Sequence, residues 1–500
     1  MNPIIPGFAP DPSIVLVNDT YYLVNSSFHL YPGLPVYKSK DLINWVHIGN
    51  AINEHNQLDL SSTAANISDT MVTVGGLYAP TIRYHAGVFY IVCTNVVRKE
   101  IGCENFFITS TNIEASEWSK PVFFEFHGID TSIFFDEDGR SYIHGSYNIA
   151  EEEGSTQPTT IKQFEIDMKT GGALSETKEI WSGFNKWYTE GPHMYKRDGY
   201  YYLMVAEGGT YDEHMVSIAR SKHVWGPFEG NESNPILTHH GTNRVVQCTG
   251  HADIFQDTQG EWRLVCLGTR WINDRFPLGR ETFLTNAKWE KGEFPVVSPI
   301  DDSTLQAKDD ISLAAPESTR LIEPQTIYIR NPELSNFELQ SNNGVIISPT
   351  EVGLDDPSLS PSWIGFRQRS LNCAVSVQVH GISGASAESG ISVYKEEARF
   401  ATLGYDFTSK SLKFRLVDKF RKIDTTTDTK IQIISERIKL RVVCTNSSYS
   451  FQYQSGDDFI IIKEVDTIHF TGNDFTGAVY GIYARGSGKS IQFSHFQCEK

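Results

Sequence analysis

Residues 11–23 read DPSIVLVNDTYYL, which is a short strand, a turn of Asn and Asp, and a second strand rich in tyrosine. Apolar runs on both sides of an Asn-Asp turn predict a β-hairpin. The pattern recurs in four degenerate copies: APTI to FYI at 79–91, DTSI to SYI at 130–143, GPHM to YYL at 191–203, and HADI to WRL at 251–264. Five related hairpins therefore precede residue 270.

The spacing of these hairpins indicates their arrangement. Measured at the second position of each copy (12, 80, 131, 192 and 252), the intervals are 68, 51, 61 and 60 residues. Each interval is about one four-stranded propeller blade with its loops. Helical periodicity is almost absent. Five copies therefore predict a five-bladed β-propeller.

The repeat stops near residue 285, and the remaining sequence predicts a second domain. We expect the propeller at 1–302, a polar linker at 303–326 and a concanavalin-like β-sandwich at 327–500. The sandwich prediction depends on eight short apolar segments: 371–379, 390–394, 401–405, 412–416, 438–443, 449–453, 477–484 and 491–496. The predicted fold class is all-β, a five-bladed β-propeller followed by a jelly-roll β-sandwich.

Composition limits the expected partners. The 500 residues include 43 Lys and Arg against 61 Asp and Glu, a net charge of -18, with no basic run. Nucleic acid and membrane surfaces are therefore not expected as partners. Without an apolar leader, the predicted location is cytoplasmic, or secreted if a leader was trimmed. The oligomeric state is left open.

Alignment of the five hairpins places Asp11, Asp130 and His251 in one column. Glu190 precedes the equivalent position of its own copy by one residue. The innermost strand of every blade begins near the propeller axis, so we expect these four side chains to converge. Crowded carboxylates repel one another, and at least one should keep its proton near neutral pH. That arrangement suits paired acid and base catalysis.

Each of these residues also has an ordinary structural interpretation. An aspartate before a proline often begins a turn, and an aspartate that opens a strand often caps a backbone amide. A buried histidine is more often a hydrogen-bonded core residue than a ligand. Independent capping roles would not need to coincide in one repeat column, so the coincidence favours a shared site.

Eight segments together resemble glycoside hydrolase family 43, and closest are the β-xylosidase and α-L-arabinofuranosidase members that carry a sandwich domain. The segments are PDPSI at 10–14, YAPTI at 78–82, GIDTSIFFD at 128–136, TEGPH at 189–193, AEGGT at 206–210, TGHAD at 249–253, LGRET at 278–282 and GFRQR at 365–369. The resemblance implies Asp11 as general base and Glu190 as general acid. It implies that Asp130 raises the pKa of the acid and orients it. Inverting hydrolysis needs two such carboxyl groups about 6.5–9.5 Å apart.

The resemblance also implies a set of substrate-binding residues. Arg280 is expected to reach the pocket, where its planar cation can hold a sugar hydroxyl. Phe28 and Tyr78 are candidate aromatic contacts to a pentose, and they would be equally ordinary as core residues. Thr210 lies in the AEGGT segment, and the sandwich loop near Phe475 is expected to close one side of the pocket.

No cofactor is expected to be required. His251 resembles a histidine on the propeller axis that holds a divalent ion through water in some members of the family. Calcium near His251 is therefore a further expectation, although the sequence offers no protein cage of oxygen ligands for it.

The predicted function is removal of terminal xylosyl or arabinofuranosyl residues from xylo-oligosaccharides or arabinoxylan fragments by an inverting glycosidase. The preference between the two sugars stays open, because a methylene-scale difference shifts selectivity by only about 1 to 3 kcal/mol. An arabinoxylan-debranching α-L-arabinofuranosidase is the alternative activity. A non-catalytic carbohydrate-binding protein is the alternative from another class.

Overall fold

A computed structural model describes residues 2–98, 102–150, 157–305, 319–320, 324–340, 344–380, 385–431 and 437–499. The chain is 56% strand and 3% helix, in accord with the predicted all-β class. The helices of the described residues are four short 3-10 segments: Ile113–Ala115, Asp302–Thr304, Leu334–Asn336 and Thr467–Phe470. None of these described helices has the length and apolarity needed to cross a membrane.

Five antiparallel sheets form the five predicted blades, and each predicted hairpin supplies the two innermost strands of its blade. The first blade consists of Ser13–Val17, Thr20–Val24, Gly33–Ser39 and Val46–Ile52, and the second of Gly76–His85, Val88–Val96, Cys103–Ser110 and Val122–Phe124. The third consists of Gly128–Phe135, Ser141–Asn148, Thr159–Glu165 and Lys178–Trp181, and the fourth of Glu190–Arg197, Tyr200–Glu207, Met215–Ser221 and Glu229–Gly230, with Leu237–Thr238 added. The fifth consists of Val246–Gln256, Trp262–Arg270, Glu281–Lys288 and Val296–Val297. The N-terminal segment pairs with the last of these blades, where the backbone N–H of Ile4 donates to Thr282 at 2.9 Å.

The innermost strand of every blade is distorted at the column position. Five column residues have positive φ values, which non-glycine residues rarely adopt: Asp11 (53°), Ala79 (35°), Asp130 (55°), Gly191 (54°) and His251 (43°). In the second to fifth blades the pairing register with the next strand shifts at this point, as in a β-bulge. A bulge re-aims the side chain next to it, so the repeated irregularity turns the column residues toward the axis.

The second domain is a sandwich of two antiparallel sheets. One sheet has the order Phe337–Gln340, Gly344–Ile347, Ile491–Glu499, Cys373–His380, Arg437–Cys444, Ser448–Ser455 and Asp458–Asp466, with Thr319–Arg320 paired to Ile491–Glu499. The other has the order Trp363–Arg367, Val479–Gly488, Ala385–Glu396, Arg399–Asp406, Ser411–Asp418 and Ile423–Lys430. All eight predicted strands are present, but others were missed. Ile423–Lys430 reads IDTTTDTK and is largely exposed, so it carries no apolar signal.

The predicted linker at 303–326 lies mostly outside the described residues. Of its described part, Thr319–Arg320 joins the sandwich sheet. Beyond it, Tyr328–Ile329 pairs with Leu30–Tyr31 of the propeller, so a strand pair joins the two domains. The exact domain boundaries stay a prediction. Two further short strands, Asn66–Ile67 and Val72–Thr73, pair with each other.

Candidate active site

A small pocket of about 70 Å³ lies where the innermost strands meet. Every residue predicted for the site lines this pocket: Asp11, Phe28, Tyr78, Asp130, Glu190, Thr210, His251, Arg280 and Phe475. Ile129 and His214 also line it and were not predicted. The repeat column therefore does bring together residues that are more than two hundred positions apart in the sequence.

Asp11 lies at the centre of a dense set of polar contacts. The hydroxyl of Ser26 donates to its Oδ2 at 2.5 Å, and an Arg280 guanidinium nitrogen donates to its Oδ1 at 3.1 Å. His251 Nδ1 lies 3.6 Å from the same Oδ1. Because Ser26 also accepts the backbone N–H of Ala79 at 2.7 Å, the first two blades together fix the Asp11 carboxylate.

Glu190 and Asp130 form an electrostatically coupled pair. Burial raises the pKa of Glu190 well above its ordinary value, and the charges of Asp130 and Asp11 raise it further. Burial also raises the pKa of Asp130, but His251 and a hydrogen bond from the backbone N–H of Gly191 favour its charged form. That bond measures 3.1 Å. Of the two carboxyl groups, Glu190 therefore has the more strongly raised pKa.

Arg280 connects the pocket to the sandwich domain. Its guanidinium donates to Asp11, to the Thr210 hydroxyl at 3.0 Å, and to the backbone carbonyl of Phe475 at 3.0 Å. The guanidinium carbon lies 5.4 Å from the Phe28 ring centre and 5.3 Å from that of Phe475. One buried cation therefore holds both a candidate catalytic carboxylate and a residue of the second domain.

Three aromatic rings form the apolar wall of the pocket. Phe28 and Tyr78 have ring centres 4.8 Å apart, and Phe475 lies 5.8 Å from Phe28 and 5.6 Å from Tyr78. The Tyr78 hydroxyl donates to the carbonyl of Val74, so the phenol is already engaged in the protein. The sandwich domain therefore contributes Phe475, one of the three rings of this wall.

The loop that carries Phe475 is held by buried charges. Residues 395–399 read KEEAR, and all five are at most 3% exposed. Lys395 Nζ and an Arg399 guanidinium nitrogen each donate to Oδ2 of Asp474 at 2.7 Å. Such a charged sequence resembles a solvated turn, and nothing in the sequence indicated that it is buried.

A second contact holds the other side of the same loop. The Thr476 hydroxyl donates to Glu396 at 2.9 Å, and Glu396 in turn accepts from Arg399 at 2.5 Å. Asp474 and Thr476 flank Phe475 in the sequence, so the charged turn fixes the backbone on both sides of this ring. The position of the ring therefore depends on the buried ion network.

One acidic residue of the AEGGT segment has a different place. Glu207 is fully buried outside the pocket, and its carboxylate accepts the backbone N–H groups of Phe184, Asn185 and Lys186 at 2.8 to 3.1 Å. These three residues belong to the loop that leads into Glu190. Glu207 therefore supports the strand that presents Glu190.

Two polar residues that the sequence analysis did not predict also support the site: His214, which lines the pocket, and Ser26, which donates to Asp11. Burial lowers the pKa of His214 to about 3, so the ring is neutral, and its Nδ1 lies 3.0 Å from the carbonyl of Cys248. Ser26 lies in the loop after the first hairpin. Neither belongs to the repeat column, and neither lies in a segment from which the family resemblance assigned a site residue.

The propeller axis below the pocket holds further polar side chains. His193 and His251 have ring centres 6.3 Å apart, and Nε2 of His193 is buried without a hydrogen-bond partner. Arg83 pairs with Asp253 at 2.8 Å. Within the described ranges, no three His, Cys, Asp or Glu side chains are grouped so that they could hold a metal ion.

Comparison with known proteins identifies the family. The model of glycosyl hydrolases family 43 matches residues 1–295, and the β-xylosidase C-terminal concanavalin A-like domain matches residues 318–499. A xylosidase/arabinosidase of Butyrivibrio fibrisolvens is 31% identical over 100% of this chain and 99% of its own length. A non-reducing end α-L-arabinofuranosidase of Bacteroides ovatus is 33% identical over 98% of this chain and 92% of its own length.

Solved structures agree with this assignment. The crystal structure of a xylan β-1,4-xylosidase from Bacillus halodurans superposes with a TM-score of 0.88 at 26% identity, over 100% of this chain and 99% of that one. The family 43 enzyme of the Bacteroides ovatus xyloglucan locus gives 0.84 at 31% identity, over 99% and 98%. Two family models and full-length relatives thus cover both domains, and the chain belongs to glycosyl hydrolase family 43 and is an inverting glycosidase.

Proposed function

We propose that this enzyme removes single terminal pentose units, β-xylosyl and α-L-arabinofuranosyl, from the non-reducing ends of xylo-oligosaccharides and arabinoxylan fragments. The small pocket supports an action on chain ends, since Phe475 closes one side and a long chain could not pass through. The relatives named for xylosidase and arabinosidase activities support the choice of pentoses.

In this proposal Asp11 takes a proton from the attacking water. Its carboxylate receives a hydrogen bond from Ser26 and another from Arg280, which fix its position in the pocket. Glu190 donates its proton to the oxygen of the leaving group. Asp130 keeps the pKa of Glu190 high, so that the acid is protonated at working pH.

The convergence of Asp11, Asp130 and Glu190 in one small pocket is the observation that carries this proposal, and the raised pKa of Glu190 supports it. An ordinary glutamic acid is ionised above about pH 4.3 and could not act as an acid near neutrality. Burial in the pocket and the neighbouring Asp130 charge supply the required shift in this chain.

A second candidate activity is debranching of arabinoxylan by an α-L-arabinofuranosidase. The relative from Bacteroides ovatus that is 33% identical is named for this sugar. A branch-specific enzyme would release arabinose from substituted polymer and leave xylobiose intact.

For a divalent ion, His251 and the unpartnered Nε2 of His193 are the nearest groups on the axis. Calcium takes oxygen ligands, and these imidazoles supply nitrogen, so an ion here would contact the protein through water. The calcium proposed near His251 would thus be a hydrated ion. Metal analysis of the purified enzyme, with activity before and after chelation, tests it.

Parallel assays with aryl β-xyloside, aryl α-L-arabinofuranoside, xylobiose and soluble arabinoxylan test the proposed function. We expect cleavage of both aryl pentosides and of xylobiose, with product of inverted anomeric configuration in the first NMR spectra. Arabinose release from polymer with intact xylobiose would favour the debranching activity. Retained configuration would exclude Asp11 as the base.

A further inference from the structure

The outer face of the six-stranded sandwich sheet has two different environments along its length. At one end its apolar side chains pack in a cluster that includes Phe8 and Phe28 of the propeller. At the other end the same sheet borders a cavity of about 500 Å³, which the segment 352–355 closes on one side. This second cavity shares no lining residue with the catalytic pocket.

The floor of the second cavity consists of two aromatic side chains and one carboxylate whose positions are fixed by packing and hydrogen bonding. Phe400 and Tyr483 line it and are 1% and 5% exposed. The Tyr483 hydroxyl donates to Glu388 at 2.5 Å. A Cβ atom at Gly404 would lie 2.3 Å from the Tyr483 hydroxyl oxygen, so glycine at this position makes room for the phenol.

The wall of the cavity is equally constrained. The Arg415 guanidinium donates to Asp355 at 2.9 Å and to both oxygens of Asp424 at 2.8 and 3.0 Å. Its carbon lies 5.4 Å from the ring centre of Phe400. Polar groups that are already fixed lose little conformational entropy when a ligand binds, which favours a preformed site.

The charges of the lining indicate the class of ligand. Four carboxylates and three cations line the cavity: Asp355, Glu388, Asp424 and Asp428, with Lys413, Arg415 and Arg485. This near balance gives no attraction for a strongly anionic ligand, and the described residues offer no metal-binding cluster. A lining that contains both hydrogen-bond donors and acceptors together with Phe400 and Tyr483 suits a neutral ligand with many hydroxyl groups.

We propose that this cavity is a second carbohydrate-binding site, which takes a neutral oligosaccharide of the same glycan that the propeller trims. The identity of the sugar as a pentose depends on the proposed function, but the cavity itself does not. Its role is to hold the glycan on the enzyme between successive cleavages. The sandwich would then supply a binding site of its own in addition to the wall at Phe475.

The full-length Glu190→Gln enzyme, which should not degrade the probe, is tested by affinity electrophoresis in soluble arabinoxylan and by calorimetry with xylohexaose. Excess xylose and arabinose saturate the catalytic pocket. Thr426 lines the cavity from an exposed strand, so Thr426→Trp fills it without disturbing the core. Thr427 is the exposed neighbour on the opposite face and does not line the cavity, so Thr427→Trp is the matched control.

We expect the Glu190→Gln enzyme to be retarded by arabinoxylan and to release or absorb heat with xylohexaose even when xylose and arabinose are present in saturating amounts. Thr426→Trp should weaken that residual binding at least fivefold, and Thr427→Trp should leave it unchanged. Both substitutions, made in the active enzyme, should leave hydrolysis of aryl pentosides unchanged. Loss of all binding in monosaccharide, or equal binding by Thr426→Trp, would overturn the proposal. If the parent enzyme, with Glu190 intact, cleaves none of the pentosides but the glycan still binds, the proposed function is refuted and this binding site is not.

Discussion

The His251 ring packs against Gly191 so closely that it fills the space a side chain at position 191 would need. A Cβ atom built on Gly191 would lie 3.0 Å from two atoms of the His251 ring, and the backbone of Gly191 has a φ of 54°. The column position of the fourth blade therefore has no room for a side chain. The carboxylate of this blade is supplied by the preceding residue, Glu190, and this explains its displacement from the repeat column.

Gly191→Ala should lower kcat at least tenfold, because the added methyl group displaces the His251 ring, whose Nδ1 lies 3.6 Å from Asp11. Strain from the positive φ should cost about 1 kcal/mol of stability. Gly199→Ala is the control: Gly199 has a φ of 74° and no atom within 4 Å of an added Cβ. Kinetics and urea unfolding of both variants measure the two effects. If both lose the same activity, the contact with His251 is irrelevant.

The repeat column could be recognised in the sequence because each copy begins with a similar short motif before its hairpin turn. Asp11, Asp130 and His251 occupy it, so their convergence follows from the fold alone. Ser26 lies outside the repeat and could not be found in this way. The place of Phe475 in the pocket came only from resemblance to a family, since its loop belongs to another domain.

The charged turn at 395–399 shows a different limit of sequence analysis. Four charged residues in five normally indicate a solvated turn, because isolated charges are costly to bury. Here each charge finds a partner that is distant in sequence, such as Asp474 for Lys395. The partners Asp474 and Thr476 lie in the same domain but about 80 residues away in the sequence, and local composition carries no information about such distant contacts. The exposed strand Ile423–Lys430 is the reverse case, in which polar composition concealed regular structure.

Glu190→Gln should lower kcat/KM for xylobiose about 10² to 10⁴-fold, because general acid catalysis contributes about that factor. An aryl pentoside with a dinitrophenolate leaving group needs little protonation, so its hydrolysis should fall much less. Glu179→Gln, at an exposed residue of the third blade, is the control. Steady-state kinetics on both substrates give the ratio. Equal losses on the two substrates would contradict the role of Glu190 as acid.

Asp130→Asn should move the alkaline limb of the pH profile to lower pH. Glu190 must be protonated to act, so activity falls as pH rises through its raised pKa. Removal of the Asp130 charge lowers that pKa, since this charge is one of the causes that raise it. The pH dependence of kcat/KM measures the shift, with Asp138→Asn on the exposed turn of the same blade as control. An unmoved limb would show that Asp130 does not act on Glu190.

Glu190→Gln should also change how stability depends on pH. A carboxyl group whose pKa is raised in the folded state contributes stability below its unfolded pKa of about 4.3 and loses it as pH rises through the folded value. Glutamine does not titrate, so the variant should gain stability relative to the parent between pH 4 and pH 8. Urea unfolding at several pH values measures this difference. A constant difference between the two proteins would mean that Glu190 is not held protonated.

Asp474→Asn should destabilise the protein and also impair catalysis. The substitution leaves Lys395 buried without its charged partner and leaves Arg399 with Glu396 alone. Loss of one member of a buried ion pair costs about 3–5 kcal/mol. The loop then releases Phe475, whose carbonyl accepts from Arg280, so KM for pentosides should rise more than kcat falls. Asp457→Asn, at an exposed hairpin of the same domain, is the control. Unfolding experiments measure the stability of both variants, and their kinetics are measured under conditions in which both are fully folded. An unchanged KM under those conditions would show that the buried charges stabilise the protein without positioning Phe475.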